Sequence, residues 1–300
     1  MLLKGARLVF SAEFGLPYFV RFSLVVATLG RTAELRRLLD SLEQQTHQDF
    51  DVIVVDQNVD ERLLPILSDF DGRLDLRRLT SPPGVSRARN QGIREVTGEV
   101  VCFPDDDCWY SIDLLQNLDR LLAKNPKWHA VMGEAVDEFG QRILPWPDRS
   151  GRATKPVSWR QALAVACFVR AEILRRVGGF DESIGPGADV PWGCGEDNDL
   201  MLRIIESGYH VQYEKSLRVN HPRMFLSFDE PCRAKRYKYS LGDGRLLRKH
   251  PMPLWWKMLF FAVPVCRMMF AIARLRGAEA KFHWVTAEGR VKGFLPGEIL

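Results

Sequence analysis

The chain has 300 residues, 46% hydrophobic and 27% charged, a balance that can build a sizeable core and excludes a chain too polar to fold. Its net charge of +4 is too small to demand a nucleic-acid partner, and none is expected. The six cysteines form no Cys-x-x-Cys pair and no zinc spacing, so a reducing cytoplasm is the simpler setting.

Residues 1–21 are mildly apolar but broken by Lys4, Arg7, Glu13 and Pro17. They have no continuous hydrophobic region and are read as an extension rather than a signal peptide. From Phe22 onward, short apolar runs alternate with helical periodicity. Residues 22–27 are predicted as a strand. Thr32 is placed as the N-cap of a helix with Leu35, Leu38, Leu39 and Leu42 on one face. Strands at 51–56, 74–79 and 99–103 follow, with helices at 61–68 and 86–95 between them. Strands that are apolar on both faces and separated by helices indicate an α/β fold with a parallel sheet covered on both sides. Ligands of such sheets lie at the carboxyl ends of the strands, which here carry Thr28, Asp56 and Asp105-Asp106-Asp107.

The second half is less regular. A helix runs from near Ile112 to Lys124, a strand covers 129–136, and 139–157 is a Pro- and Gly-rich loop. Residues 162–169 are a buried strand or the start of a helix. A short helix at 171–177 ends at Gly178-Gly179, and a periodic helix at 196–207 is stopped by Gly208. Residues 216–219 are strand-like.

Chemistry concentrates in a few places. Three carboxylates follow Val100-Val101-Cys102-Phe103. They repel one another unless a cation joins them, and a hard divalent ion suits oxygen ligands. The alternative is a solvated acidic turn. Asp56 either accepts hydrogen bonds from a nucleoside or forms a turn with Asn58. Gly84-Val85-Ser86-Arg87-Ala88-Arg89-Asn90-Gln91-Gly92 joins a flexible start to a helix N-terminus and two arginines, which favour phosphate or nucleotide oxygens. One of these arginines could equally be a surface charge. Gly195-Glu196-Asp197-Asn198-Asp199 is a second acidic cluster. Acids at a helix start are ordinary dipole partners; the functional reading makes Asp197 a general base. One acidic site for a metal and another for a base suit transfer of a group from a diphosphate to a hydroxyl.

In this order, the landmarks resemble glycosyltransferase family 2, the inverting enzymes with the GT-A fold, over about residues 22–222. They are Val25-Val26-Ala27-Thr28 with Arg31, the strand ending at Asp56, the 84–92 segment and Asp105-Asp106-Asp107. Val177-Gly178-Gly179-Phe180-Asp181-Glu182 and Gly195-Glu196-Asp197-Asn198-Asp199-Leu200 complete the set. The resemblance implies a Rossmann-like, mostly parallel sheet. Thr28, Arg31 and Asp56 would line the nucleotide pocket, and the Ala88-Arg89-Asn90 stretch would help to close it, with Arg87 and Asn90 as its donor-binding residues. Asp105, with Asp106 beside it, would contact the nucleoside. Asp107, with Asp105 and His221, would hold Mn²⁺ or Mg²⁺ against the diphosphate, although Asp106 competes with Asp107 as ligand. Asp197 would deprotonate the acceptor. The donor would be a UDP-, GDP- or dTDP-sugar and the acceptor a saccharide or lipid-linked hydroxyl, in surface polysaccharide or glycolipid synthesis. Two rivals are a non-catalytic nucleotide-sugar-binding or scaffold protein of the same fold, and a nucleotidyltransferase. Glu196-Asp197 argues against the second.

The expected organisation is an extension at 1–21, a catalytic domain at 22–230 and a basic, then apolar, region at 231–300. Within the catalytic domain, 22–110 binds the nucleotide and 111–230 the acceptor. Residues 233–249 are densely basic, and 251–276 are apolar but interrupted by Lys257, Pro264 and Arg267. The longest charge-free run, 258–266, is shorter than the ~20 residues needed to span a bilayer. Trp255, Trp256 and Lys257 at one end, with Arg274 and Arg276 at the other, suit an interfacial helix on the inner face of the cell membrane. A helix pair packed on the catalytic domain, or in a dimer interface, is one alternative, and a re-entrant or hairpin insertion is another.

Overall fold

The computed structural model describes residues 19–223 and 227–296. The expected N-terminal extension therefore lies outside the described residues, apart from Phe19, Val20 and Arg21. In chain order the first half comprises β1 (Phe22–Thr28), α1 (Ala33–Glu43), β2 (Phe50–Asp56), α2 (Leu64–Ser68), β3 (Leu76–Thr80), α3 (Val85–Arg94) and β4 (Val100–Cys102). Then come β5 (Trp109–Tyr110), α4 (Leu114–Lys124), β6 (Ala130–Val136), β7 (Gly151–Arg152) and α5 (Lys155–Gln161). They are followed by β8 (Cys167–Arg170), α6 (Ala171–Val177), α7 (Glu196–Glu206) and β9 (Val211–Asn220). Three helices close the chain: α8 (Glu230–Lys249), α9 (Leu254–Ala273) and α10 (Gly277–Phe294).

The strands form one nine-stranded sheet in the order β3-β2-β1-β4-β8-β6-β9-β5, with β7 on β9. The first four positions are all parallel, as continuous apolar runs joined by helices require. β8 then runs antiparallel to both β4 and β6, while β6 and β9 are parallel. β1 and β2 are buried along almost their whole length and pair from Phe22↔Phe50 to Thr28↔Asp56. That register places the polar ends of both strands side by side. α1 buries Leu35, Leu38, Leu39 and Leu42, the face its periodicity foretold. Thr32 precedes α1, but its side chain makes no capping hydrogen bond. α3 lies close on β1 because Gly92 has no side chain: a Cβ there would stand 2.4 Å from Val25 Cγ1.

Several boundaries differ from the sequence reading. The helix expected at 61–68 is shorter, since Pro65 enters only in its first turn. The loop expected at 139–157 contains β7, which pairs with β9, and the start of α5. Residues 162–169 resolve into a 3-10 turn, Ala164–Ala166, and then β8. The strand-like 216–219 segment is the end of the ten-residue β9. Its outer half alternates buried and exposed positions, and the run of charges hid its length.

The C-terminal region packs on the catalytic sheet domain through a second core of Trp159, Leu202, Leu246, Leu247, Met252, Trp256 and Phe260. α8 and α10 approach closely enough that a Cβ on Gly293 would meet the Leu241 carbonyl at 2.1 Å. Pro264 was expected to interrupt the apolar segment, yet α9 continues through it. A proline cannot donate to the carbonyl one turn back, here that of Phe260. The Arg290 guanidinium donates to that carbonyl instead, at 2.5 Å. α9 is thus one 20-residue helix, long and apolar enough to cross a membrane by length and composition alone, with 22% of its most apolar window buried.

Candidate active site

The β1–β2 register sets Thr28 beside Asp56 at the carboxyl edge of the sheet. Both are buried. Asp56 accepts hydrogen bonds from the Asn58 backbone N–H (2.9 Å) and side-chain amide (2.8 Å). It also accepts from Arg78 Nε and Nη2, at 2.9 and 2.7 Å. The turn with Asn58 is therefore present, and Arg78 supplies the further donors that a fully buried carboxylate at a strand end needs. Arg78, on β3, was missed by sequence reasoning. Thr28 Oγ1 is buried with no hydrogen-bond partner among the described residues.

β4 ends at Cys102, and Pro104 leads into the aspartate triplet. Arg31 binds Asp106 and, at 2.8 Å, Asp107, so it organises the triplet directly. Arg37 Nη2 donates to the Asp107 carbonyl at 2.6 Å. Asp106 is buried and faces Arg31, whereas Asp105 and Asp107 face His221. His221 Nε2 stands 3.5 Å from Asp107 Oδ1 and 4.0 Å from Asp105 Oδ2. Its Nδ1 lies 2.7 Å from the Pro222 carbonyl. A carbonyl only accepts, so Nδ1 carries a proton, and Nε2 is the ring nitrogen turned toward the aspartates. One ligand atom from each of Asp105, Asp107 and His221 lies within 4.8 Å of the others. Asp107 Oδ1 is buried without a hydrogen-bond partner among the described residues. Two carboxylate oxygens, one imidazole nitrogen and an unsatisfied buried acceptor fit a divalent cation, and the set is the one expected from the sequence.

The second acidic cluster opens α7. Asp197 Oδ2 accepts from the Ala164 backbone N–H at 2.8 Å, and Oδ1 from Arg89 Nη1 at 2.9 Å. Arg89 Nη2 also reaches Asp105 Oδ1 at 2.9 Å, and Glu196 lies 3.8 Å away. A single buried guanidinium thus joins two acidic clusters far apart in the chain. Burial would lower the Arg89 pKa, but Asp197, Asp105 and Glu196 outweigh it and hold the group firmly charged. Burial also pushes the Asp197 carboxyl above its ordinary range, with Arg89 opposing. The Glu196 carboxyl is pushed up to about 8, by burial first and then by the neighbouring Asp197 charge.

Arg87 and Asn90 face elsewhere. Arg87 stands 3.8 Å from Glu182 on the protein surface. Asn90 donates to the Phe180 carbonyl and to Glu182, both at 2.9 Å, and accepts from the Phe180 N–H at 2.8 Å. These two residues meet the 180–182 segment, not the aspartates. The inward arginine is Arg89, on the buried stripe of α3 with Ser86 and Gly92. That spacing of three was the available signal.

α8 borders the site, and sequence reasoning missed this too. Its Tyr239 carbonyl accepts from Cys194 Sγ at 3.2 Å, and the Lys238 carbonyl from the Gly193 N–H at 3.4 Å. Burial and the nearby Cys194, Glu196, Asp197 and Asp105 lift the Tyr239 phenol to about 12. The expected boundary at residue 230 thus falls at the start of a helix that packs against the lead-in to Asp197.

The family model described as glycosyl transferase family 2 matches residues 23–175. The amylovoran biosynthesis glycosyltransferase of Erwinia amylovora is 34% identical over 265 residues, covering 80% of this chain and 85% of its own. The chain spans 68% of the length of an uncharacterized glycosyltransferase of Haemophilus influenzae, 23% identical over 212 residues, and 42% of the length of the Mycobacterium tuberculosis pre-mycofactocin glycosyltransferase, 30% identical over 220 residues. The Pyrobaculum calidifontis mannosyltransferase, solved with GDP-Man and Mn²⁺, aligns with a TM-score of 0.60 at 19% identity, over 92% of this chain and 73% of its own. The S. aureus TarS fragment solved with UDP-GlcNAc aligns with a TM-score of 0.57 at 15% identity, over 90% of both chains. At these identities the two structures speak to the fold.

Proposed function

The chain belongs to glycosyltransferase family 2 and is a nucleotide-sugar glycosyltransferase of GT-A fold; from this premise we propose that it works by metal-dependent inversion, with Asp197 as the base. The observation that carries this reading is the arrangement of Asp105, Asp107 and His221 around one point, with Arg89 running from Asp105 to Asp197. Asp105, Asp107 and His221 would hold Mn²⁺ or Mg²⁺, which supplies positive charge against the departing nucleoside diphosphate. Thr28 and Asp56 offer polar groups to the nucleoside at the strand ends. Asp197 takes the proton of the acceptor hydroxyl as that oxygen bonds to the anomeric carbon and the bond from that carbon to the diphosphate oxygen breaks. Burial raises the proton affinity of Asp197, which favours this step, while Arg89 and the Ala164 N–H fix the carboxylate in place.

The similar structures hold GDP-Man in one case and UDP-GlcNAc in the other, and the donor here is a nucleotide sugar of that kind, carried on UDP, GDP or dTDP. The acceptor is a saccharide or lipid-linked hydroxyl, and the product is surface polysaccharide or glycolipid made at the cytoplasmic side of the membrane. The test is Asp197→Asn, assayed for transfer and, separately, for donor binding by thermal shift. Transfer should fall by about 10²–10⁴-fold with donor binding retained. Unchanged transfer would remove Asp197 from the role. A wild-type chain that binds donors but turns none over would make it a scaffold. Release of pyrophosphate with formation of a nucleotide sugar would make it a nucleotidyltransferase.

A further inference from the structure

Helix α9 has two faces of opposite character. Trp256, Phe260, Pro264 and Ala271 are buried against the second core and α10. Leu254, Trp255, Met258, Met269, Phe270 and Ile272 are exposed, Leu254 by 73%, Met258 by 64% and Met269 by 62%. With 3.6 residues per turn, the exposed apolar side chains fall within one arc of about 160° along a helix about 30 Å long. The charged residues of α9, Lys257 and Arg267, lie outside that arc. A contiguous apolar face of this kind on a soluble protein marks a docking surface.

The rim identifies what it meets. Lys257 and Arg267 flank the arc, and Arg274 and Arg276 follow it, with no Asp or Glu between residues 254 and 276. Arg274 lies over the Phe270 ring, 3.9 Å from its centroid, so a cation borders the apolar face directly. Two copies of this face related by a two-fold axis would bring like charges together, because the rim has no carboxylate to offer a partner. An anionic bilayer offers phosphates to the rim and hydrocarbon to the arc. Trp255 at one end is a residue that settles at the boundary between the two.

α9 is long enough to cross a membrane, but α10 packs along it and carries Glu279, Lys281, Glu288, Arg290 and Lys292. A crossing would draw those charges into hydrocarbon. We infer that α9 lies flat in the headgroup–acyl boundary of an anionic bilayer and anchors the chain to one leaflet by its exposed apolar arc and basic rim. This rests on α9 and its surroundings alone, not on the transfer chemistry.

The test is flotation of the full chain with vesicles of phosphatidylcholine alone and of phosphatidylcholine with phosphatidylglycerol, at low and high salt. The wild type is expected to float with the anionic vesicles. Joint replacement Trp255→Glu, Met258→Glu and Met269→Glu should lower the bound fraction about tenfold or more, since charge on the inserted face opposes insertion. These side chains are exposed, so the thermal midpoint should hold, which separates lost docking from lost folding. Glutamine at Lys257, Arg267, Arg274 and Arg276 should keep the arc but abolish the preference for anionic vesicles. A wild type that stays down with anionic vesicles at low salt would overturn the inference, as would equal flotation of the glutamate variant. A wild-type dimer that the glutamate variant dissociates, with no flotation of either, would assign the face to a second copy instead.

Discussion

Asp107 keeps its Oδ1 buried and without a hydrogen-bond donor among the described residues, while Asp106 has its Oδ1 bound by Arg31. That contrast favours Asp107 over Asp106 as the ligand, a choice that can be measured. Mn²⁺ with donor should raise the unfolding temperature of the wild type, because a ligand bound only to the native state stabilises it, by about 2.7 kcal/mol at a hundredfold excess over Kd. Asp107→Asn should lose the metal-dependent part of that rise. Asp106→Asn should lower the starting stability and keep the rise. An unaltered metal effect in Asp107→Asn would displace it from the ligand set. Much of the site was legible at this scale: Asp105, Asp107, His221 and Asp197 stand in a recognisable order, and the structure gathers the first three around one point. Arg78 was not legible as a site residue, and for Arg89 the signal was only the segment it shares with Ala88 and Asn90 and its spacing of three on α3, because a charged side chain in a sequence does not announce whether its element faces inward. Only the packing of α3 and β3 turns those guanidinium groups toward buried carboxylates.

Among the elements, α7 is held at both its chemical and its structural end. Two residues beyond Asp197, the fully buried Asp199 accepts from His250 Nε2 at 2.9 Å, Lys249 Nζ at 2.6 Å and Arg203 Nε at 2.7 Å. Burial alone would raise the Asp199 carboxyl; the His250 hydrogen bond, with the Arg203 and Lys249 cations, outweighs it and holds it far below its usual range. A group whose folded pKa is depressed contributes stability above its unfolded pKa and loses it as the pH falls toward the folded one. Asp199→Asn is therefore expected to cost about 1–3 kcal/mol at pH 7, because Arg203, Lys249 and His250 lose a shared, fully buried carboxylate. In urea unfolding, the gap between variant and wild type should narrow as the pH drops below 3.8, the ordinary value for this group. A gap independent of pH would show that the loss comes from packing rather than charge. In the sequence Asp199 was only one more acid near a helix start. Arg203 stands one turn along α7, but Lys249 and His250 come from the far end of α8, which periodicity within α7 could not show.

Across the whole molecule, the parallel half of the sheet was readable because its strands are apolar on both faces and separated by helices. The second half was not. β8 reverses direction between β4 and β6, and that choice depends on contacts distant in sequence. The continuity of α9 through Pro264 was hidden for the same reason, since it rests on Arg290. The C-terminal helices are also less separable than their composition implied. A chain ending after Lys249 would uncover Trp159, Leu202, Leu246 and Leu247, which now form a core with Trp256 and Phe260. Such a truncation is expected to aggregate or to unfold without cooperativity when compared with the full chain by thermal melting and gel filtration. A soluble, cooperative product would make 231–300 an independent appendage. Lys249 gives this junction a further meaning, for its ammonium touches both Asp181 and Asp199 at 2.6 Å, just before the chain turns into α9. With α9 resting on a bilayer, that clamp would hold the base at a set height above the lipid, and the enzyme would select its acceptor partly by reach: a hydroxyl presented too near the surface, or too far from it, would never meet Asp197.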